Sequence, residues 1–229
     1  ECGDGLTSGS RNIAIGFRAL GAEDAHGRNI AIGYNALTAQ DAGADAYNIA
    51  IGYDTGKSVT TGTSNVLVGG LAGDALTTGN HNVAIGRAAL STEDVYGYNV
   101  AIGGYCLQDL DAGADAYNTA IGYTAGKEMT TGTYNTILGA KAMSTGITTG
   151  DYNTAIGALA GDAITTGGNN IVIGYNAAAS AVDVNNEITL GDSNIASIRC
   201  QVQTISSLSD KRDKTNINTL DKGLEFVDA

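Results

Sequence analysis

Asn82-Val83-Ala84-Ile85-Gly86 and, seventeen residues on, Asn99-Val100-Ala101-Ile102-Gly103 are two copies of one pentapeptide, Asn-x-Ala-Ile-Gly. Close variants begin at Asn12, Asn29, Asn48, Asn65, Asn118, Asn135, Asn153 and Asn170, and Glu187-Ile188-Thr189-Leu190-Gly191 is a degenerate eleventh copy. Subtracting successive start positions gives steps of 17, 19, 17, 17, 17, 19, 17, 18, 17 and 17 residues. A short, nearly fixed period sustained over residues 12–191 means a stack of like units, each in contact mainly with its neighbours.

With each Asn as position 0, position 1 is Ile, Val or Thr, position 2 is mostly Ala, position 3 is a large aliphatic and position 4 is always Gly. In an extended chain positions 1 and 3 share one face and positions 0, 2 and 4 the other. The β-branched residues favour extended backbone. Each unit therefore predicts one short strand that is apolar on both faces. One face fills the inside of a coil, and the other needs a second cover, which in a stack of coils is another chain.

Position 7 is small in every unit from Ala19 to Ala177, with Thr55 and Cys106 as the largest members, which marks a crowded inner site. Positions 7 and 8 predict a return strand. Thr-Thr-Gly closes the units at 60–62, 77–79, 130–132, 148–150 and 165–167, where Gly is expected to supply a positive φ. The two 19-residue units carry Asp-Ala-Gly-Ala-Asp-Ala-Tyr instead, at 41–47 and 111–117, as two-residue insertions bulging on one side. Residues 12–81 match 82–151 in unit lengths and turn types, which points to duplication of a four-unit block.

The reading is an all-β parallel β-solenoid, or β-roll, of about eleven coils of 17–19 residues, with its outer strand face covered by another chain. Coils stacked by backbone hydrogen bonds rise by about 4.8 Å each. The position 0 asparagines are expected to form a ladder of side-chain amides, which satisfies a buried Asn in every coil. The domain plan is residues 1–11 as a connection to an upstream segment, 12–191 as the repeat body, 192–208 as a strand and linker, and 209–229 as the start of a further domain.

The 229 residues include 33 Gly, no Pro and no Trp, with a net charge of -12. This charge repels phosphate backbones and anionic membranes, so nucleic-acid partners are not expected. No apolar run is long enough for a transmembrane helix, so membrane insertion is not expected either. Cys2, Cys106 and Cys200 form no C-x-x-C pair, and His26 and His81 lie in different units, so the pattern predicts neither a metal site nor a cofactor. The start at Glu1, without Met or a signal peptide, reads as an interior fragment.

The Asn-x-Ala-Ile-Gly runs resemble the head repeats of trimeric autotransporter adhesins, though the coil here is longer than in that family. The resemblance implies a trimeric left-handed parallel β-roll, so that the solenoid here is expected to be packed or intertwined as a homotrimer. Similar repeats occur in phage tail fibres. The stretch Ser209-Asp210-Lys211-Arg212-Asp213-Lys214-Thr215-Asn216-Ile217 is similar to the opening of the self-cleaving intramolecular chaperone domain of phage tailspikes and tail fibres, including endosialidases. That resemblance implies assisted trimerisation followed by cleavage of the Leu208–Ser209 bond, with Ser209 as nucleophile and Lys214 as general base. A Ser hydroxyl needs such a base to attack a carbonyl.

The function expected is thus a structural and adhesive segment of a phage tail fibre in the virion. It would join other tail proteins on its N-terminal side and present a surface to a glycan or protein receptor on the host cell. The alternative is the head of a bacterial trimeric surface adhesin. No activity on an external substrate is expected. A glycan-cleaving tailspike would need paired acids in a groove, for which the repeats offer Asp41, Asp45, Asp111 and Asp115. An ice-binding solenoid would need Thr on every coil, and Thr fills position 1 only at 119, 136 and 154. Calcium sites in the insertion loops are not expected, because the oxygen ligands are too few. Tyr34, Tyr53, Tyr123 and Tyr175 at position 5 form a possible sugar-stacking strip or edge cover, whereas Tyr47, Tyr98, Tyr117, Tyr134 and Tyr152 at position -1 read as packing residues.

Overall fold

The computed structural model describes residues 1–22, 26–197 and 199. The chain divides into two compact units, Glu1–Asn194 and Ile195–Ala229, and the whole repeat lies in the first. Eleven three-residue strands form one parallel sheet in simple sequence order. They are β1 (Ile13–Ile15), β2 (Ile30–Ile32), β3 (Ile49–Ile51), β4 (Val66–Val68), β5 (Val83–Ile85), β6 (Val100–Ile102), β7 (Thr119–Ile121), β8 (Thr136–Leu138), β9 (Thr154–Ile156), β10 (Ile171–Ile173) and β11 (Ile188–Leu190). Every pair is in register, so position 2 always faces position 2, as in Ala101 opposite Ala120. The result is a β-solenoid, with one strand per coil and no helix among the described residues.

The two strand faces have opposite fates. Position 2 is buried from β2 to β10. Positions 1 and 3 point outward, and none of them is buried. Inside, position 2 meets the small position 7 residues, all fully buried, from Ala19 through Cys106 to Ala177. A further inner row stands at position 11: Gln40, Val59, Leu76, Glu93, Leu110, Met129 and Ile164 are all buried. That row is hard to read from sequence, because unit length varies between it and the next Asn.

The expected return strand at positions 7 and 8 is not formed among the described residues. Positions 4, 6 and 8 instead adopt left-handed backbone one after another, as at Gly103 (φ 139), Tyr105 (φ 59) and Leu107 (φ 47). This conformation is costly for residues other than Gly, about 1–2 kcal/mol each. Hydrogen bonds along the stack offset the cost. Gly103 and Tyr105 donate to Ile85 O and Arg87 O of the coil before, at 2.7 and 2.8 Å, and Leu107 donates to Ala125 O of the coil after, at 3.0 Å. The turn thus hydrogen-bonds to the coils on both sides of it.

Position 4 admits only Gly, for two reasons. Its φ lies between 122 and 145 from Gly16 to Gly174. A side chain would also strike the next coil: a Cβ on Gly103 would lie 2.3 Å from Gly122 O. The Thr-Thr-Gly glycines correct an expectation, since none of Gly62, Gly79, Gly132, Gly150 and Gly167 has a positive φ. They are required by closeness instead. A Cβ on Gly150 would lie 2.0 Å from Gly167 O, and one on Gly79 2.3 Å from Tyr96 O.

The asparagine ladder forms in a different way from the one expected. Each Asn Oδ1 accepts the backbone N–H of the next coil's position 0, from Asn29 N to Asn12 Oδ1 at 2.9 Å up to Glu187 N to Asn170 Oδ1 at 2.9 Å. Each Nδ2 donates mainly to a corner carbonyl fourteen or fifteen residues on, such as Asn65 to Gly79 O (2.8 Å) and Asn135 to Gly150 O (3.0 Å). Only Asn170 also reaches the amide of its neighbour, Asn153 Oδ1, at 3.1 Å. The insertions disturb this pattern. In the 19-residue units Asn99 Nδ2 turns back to Gly97 O at 3.3 Å, and Asn29 Nδ2 is buried without a partner among the described residues.

The first residues follow the same path. Gly3 (φ 58) matches Gly56 (φ 56) at position 8, and Leu6, at position 11, packs against the core. Residues 3–6 therefore belong to the coil architecture, where the sequence suggested a plain connection.

Candidate binding surface

Three features lie on the outside of the solenoid: an apolar strand face, two aromatic columns and a set of polar corner loops. The strand face is the most regular. Ile13, Ile15, Ile51, Ile121, Leu138, Ile171, Ile173, Ile188 and Leu190 are 37–66% exposed. They lie on β1, β3, β7, β8, β10 and β11, and in register with them the half-buried aliphatics at position 3 of the other strands continue one row along the sheet. Such contiguous apolar surface marks an interaction face.

The first aromatic column sits at position 5, where Phe17, Tyr34 and Tyr53 stack with centroids 5.3 Å apart. Gly70 ends it. Tyr123 and Tyr175, expected in the same strip, are not brought to it: Tyr123 meets Tyr105 edge-on at 6.3 Å, and Tyr175 lies beyond Ala140 and Ala158. Arg87 stacks over Tyr105 at 5.3 Å and donates to its hydroxyl. A cavity of about 350 Å³ opens between Tyr105, Gln108, Tyr123, Thr124 and Lys127.

The second column, at position -1, is longer. His81, Tyr98, Tyr117, Tyr134 and Tyr152 stack continuously, with centroids 4.9–5.2 Å apart and planes within 22°. The spacing is that of the strands beneath, so the backbone sets the stack. These side chains pack on one another rather than into the core, and the four tyrosines remain 42–59% exposed. After Tyr152 the column passes to Asn169 and Asn186, whose amides pair at 2.7 Å. Here the surface opens into a cavity of about 520 Å³ with Tyr152, Asp151, Asn169, Asn185 and Asn186 in its wall.

The acids of the insertion loops are placed structurally. Asp45 and Asp115 accept the backbone N–H of Gly27 and Gly97 in the preceding coil, at 3.2 and 3.1 Å, and Asp45 also pairs with Arg28 at 3.1 Å. Each ties its loop to the preceding coil. Glu93, Asp94 and Asp111 do converge, with one ligand oxygen from each within 4.8 Å of the others. Both Glu93 oxygens already accept backbone N–H groups, from Tyr96 at 3.2 Å and Ala112 at 3.4 Å. Burial, opposed by those hydrogen bonds, raises the Glu93 pKa, and the neighbouring acids add to the rise. Sequence reading passed over Glu93 because its row was unrecognised, although Gln40 and Leu110 mark the same position.

Cys106 is fully buried, with its thiol 3.2 Å from Ala120 O. Burial pushes its pKa up to about 12, so it is a space-filling residue of the inner row. His81 belongs to the aromatic column, and His26 accepts from the Asn12 amide through its backbone carbonyl at 3.1 Å. Ser209, Lys214 and the Leu208–Ser209 bond lie outside the described residues.

No family model, no curated protein and no solved structure matches the chain.

Proposed function

We propose that this chain is a structural and adhesive segment of a phage tail fibre, in which three copies pack through the outer strand faces and the assembled body presents a receptor-binding surface to a host cell. The aliphatic stripe at positions 1 and 3 carries this reading. A stripe of that length, open to water in one chain, is a large fraction of what a stable association needs to bury. Three copies related by a closed rotation cover it without leaving an open, fibre-forming edge. The similarity of residues 209–217 to an intramolecular chaperone favours the phage setting over a bacterial surface adhesin.

Two measurements on the protein with its natural downstream sequence test the reading. Sedimentation equilibrium is expected to give three chain masses, and a stable monomer would overturn the assembly. Intact mass is expected to place the C-terminus at Leu208 in wild type and to leave a Ser209→Ala variant uncleaved. If neither is cleaved, the phage assignment gives way to the bacterial adhesin.

A further inference from the structure

We propose that the cleft at the C-terminal end of the position -1 aromatic column is a subsite for a neutral sugar ring, seated on the open face of Tyr152. The inference rests on the adhesive reading above and gives that reading a ligand class.

The argument begins with which ring faces are free. Within the column, Tyr98, Tyr117 and Tyr134 each have an aromatic ring on both sides. Only their edges and hydroxyls meet water, so a flat ligand cannot lie on them. Tyr152 has a ring on one side only, and its next neighbour along the column is Asn169. It is 59% exposed, against 45% for Tyr117 and 48% for Tyr134. On that side the shorter Asn169 replaces a ring, and Tyr152 and Asn169 both line a cavity of about 520 Å³, a volume in the range of small-ligand sites.

The polar rim supplies hydrogen-bonding groups left over from the stack. The Asn169 amide nitrogen donates to Asn186 Oδ1, which leaves Asn169 Oδ1 as an acceptor and Asn186 Nδ2 as a donor. Asp151 Oδ1 takes the N–H and hydroxyl of Thr133 at 2.7 and 2.9 Å, which leaves Oδ2. A flat apolar face ringed by acceptors and donors fits a pyranose, with one C–H face and a rim of hydroxyls. The same lining selects against other ligands. Among the described residues no Lys or Arg lines the cleft, Asp151 does, and the chain carries a net charge of -12, so a phosphate or acidic sugar is repelled. No aliphatic side chain lines it, so an acyl chain gains nothing there.

The test uses wild type, Tyr152→Ala, Asn169→Tyr and, as a control, Tyr34→Ala in the other column. Asn169→Tyr extends the stack by one ring and covers the Tyr152 face without removing any part of the column. Binding is read on arrays of microbial surface glycans, by saturation-transfer NMR with neutral hexose and N-acetylhexosamine oligosaccharides, and by adhesion to a panel of intact bacteria. Wild type and Tyr34→Ala are expected to bind a neutral glycan alike, and both Tyr152→Ala and Asn169→Tyr to bind it at least tenfold more weakly. Equal binding by Asn169→Tyr and wild type would overturn the subsite while leaving the adhesive reading intact. Adhesion to cells without binding of any neutral glycan would overturn the ligand class alone. If wild type binds neither glycans nor cells, both readings fall.

Discussion

The two faces of the eleven-stranded sheet are written in nearly the same alphabet, yet they do different things. The inner face, Asn, Ala and Gly at positions 0, 2 and 4, is sealed by its own chain. The outer face, the aliphatics at positions 1 and 3, is left to water. The inner face is mostly small because the opposite wall of the coil, at position 7, stands close against it, with Leu67, Ile137 and Val172 as buried exceptions. The outer face carries large residues because nothing in this chain limits them. Apolarity alone does not say which face is core.

The largest break in this contrast is expected from the inner glycine column. Gly103→Ala forces an unfavourable φ and a Cβ 2.3 Å from Gly122 O, and is expected to cost about 4 kcal/mol in chemical denaturation. Next comes the asparagine ladder. Asn118→Ala leaves Asn135 N and Gly132 O without their partners, at about 3 kcal/mol. Asn29→Ala should cost about half as much, because Asn29 Nδ2 has no partner to lose. Equal losses at the two sites would show that the corner carbonyl contributes little.

A smaller effect is expected at Cys106. Cys106→Ala should cost about 1 kcal/mol, since Ala fills the same row elsewhere. The wild-type thiol should resist alkylation at pH 8 while Cys2, which is exposed, reacts; residue-resolved mass spectrometry separates the two. Burial raises the Cys106 pKa from near 9 to about 12. The unfolded chain therefore ionises first as pH rises. The stability linked to this group is fully present below about pH 9 and is lost between there and about pH 12, a slope that Cys106→Ala should remove. The smallest change in chain stability belongs to the outer face. Ile85→Lys with Ile121→Lys should leave the melting of the single chain within about 1 kcal/mol, while the proposed trimer is expected to give way to monomer in sedimentation. A large loss of fold would mean that the outer face is core after all.

Much of this was legible in the sequence. The Asn period fixes the number and order of strands, and the Gly at position 4 was visible as a constant, though its reason, a positive φ and closeness to the next coil, came from the structure. The turn was not legible. Leu107, Tyr105 and Arg18 are poor candidates for left-handed backbone by residue type, and what holds them there is hydrogen bonding to other coils, which no local pattern displays. The Thr-Thr-Gly glycines were found for the wrong reason, because closeness between coils is as invisible as a contact between distant segments. The end of the aromatic column was visible as a change from Tyr152 to Asn169, but its meaning depends on the rings being stacked, which only three dimensions reveal.

The asparagine ladder has a consequence for how such a body comes into being. Its backbone donor always lies in the later coil and its side-chain acceptor in the earlier one, 17–19 residues back. Parallel sheets are ordinarily slow to form, because partner strands are separated by long connections. Here no strand waits for a distant partner. A coil leaving the ribosome finds its template already finished beneath it, so the chain can be laid down in the order in which it is made, like courses of brick.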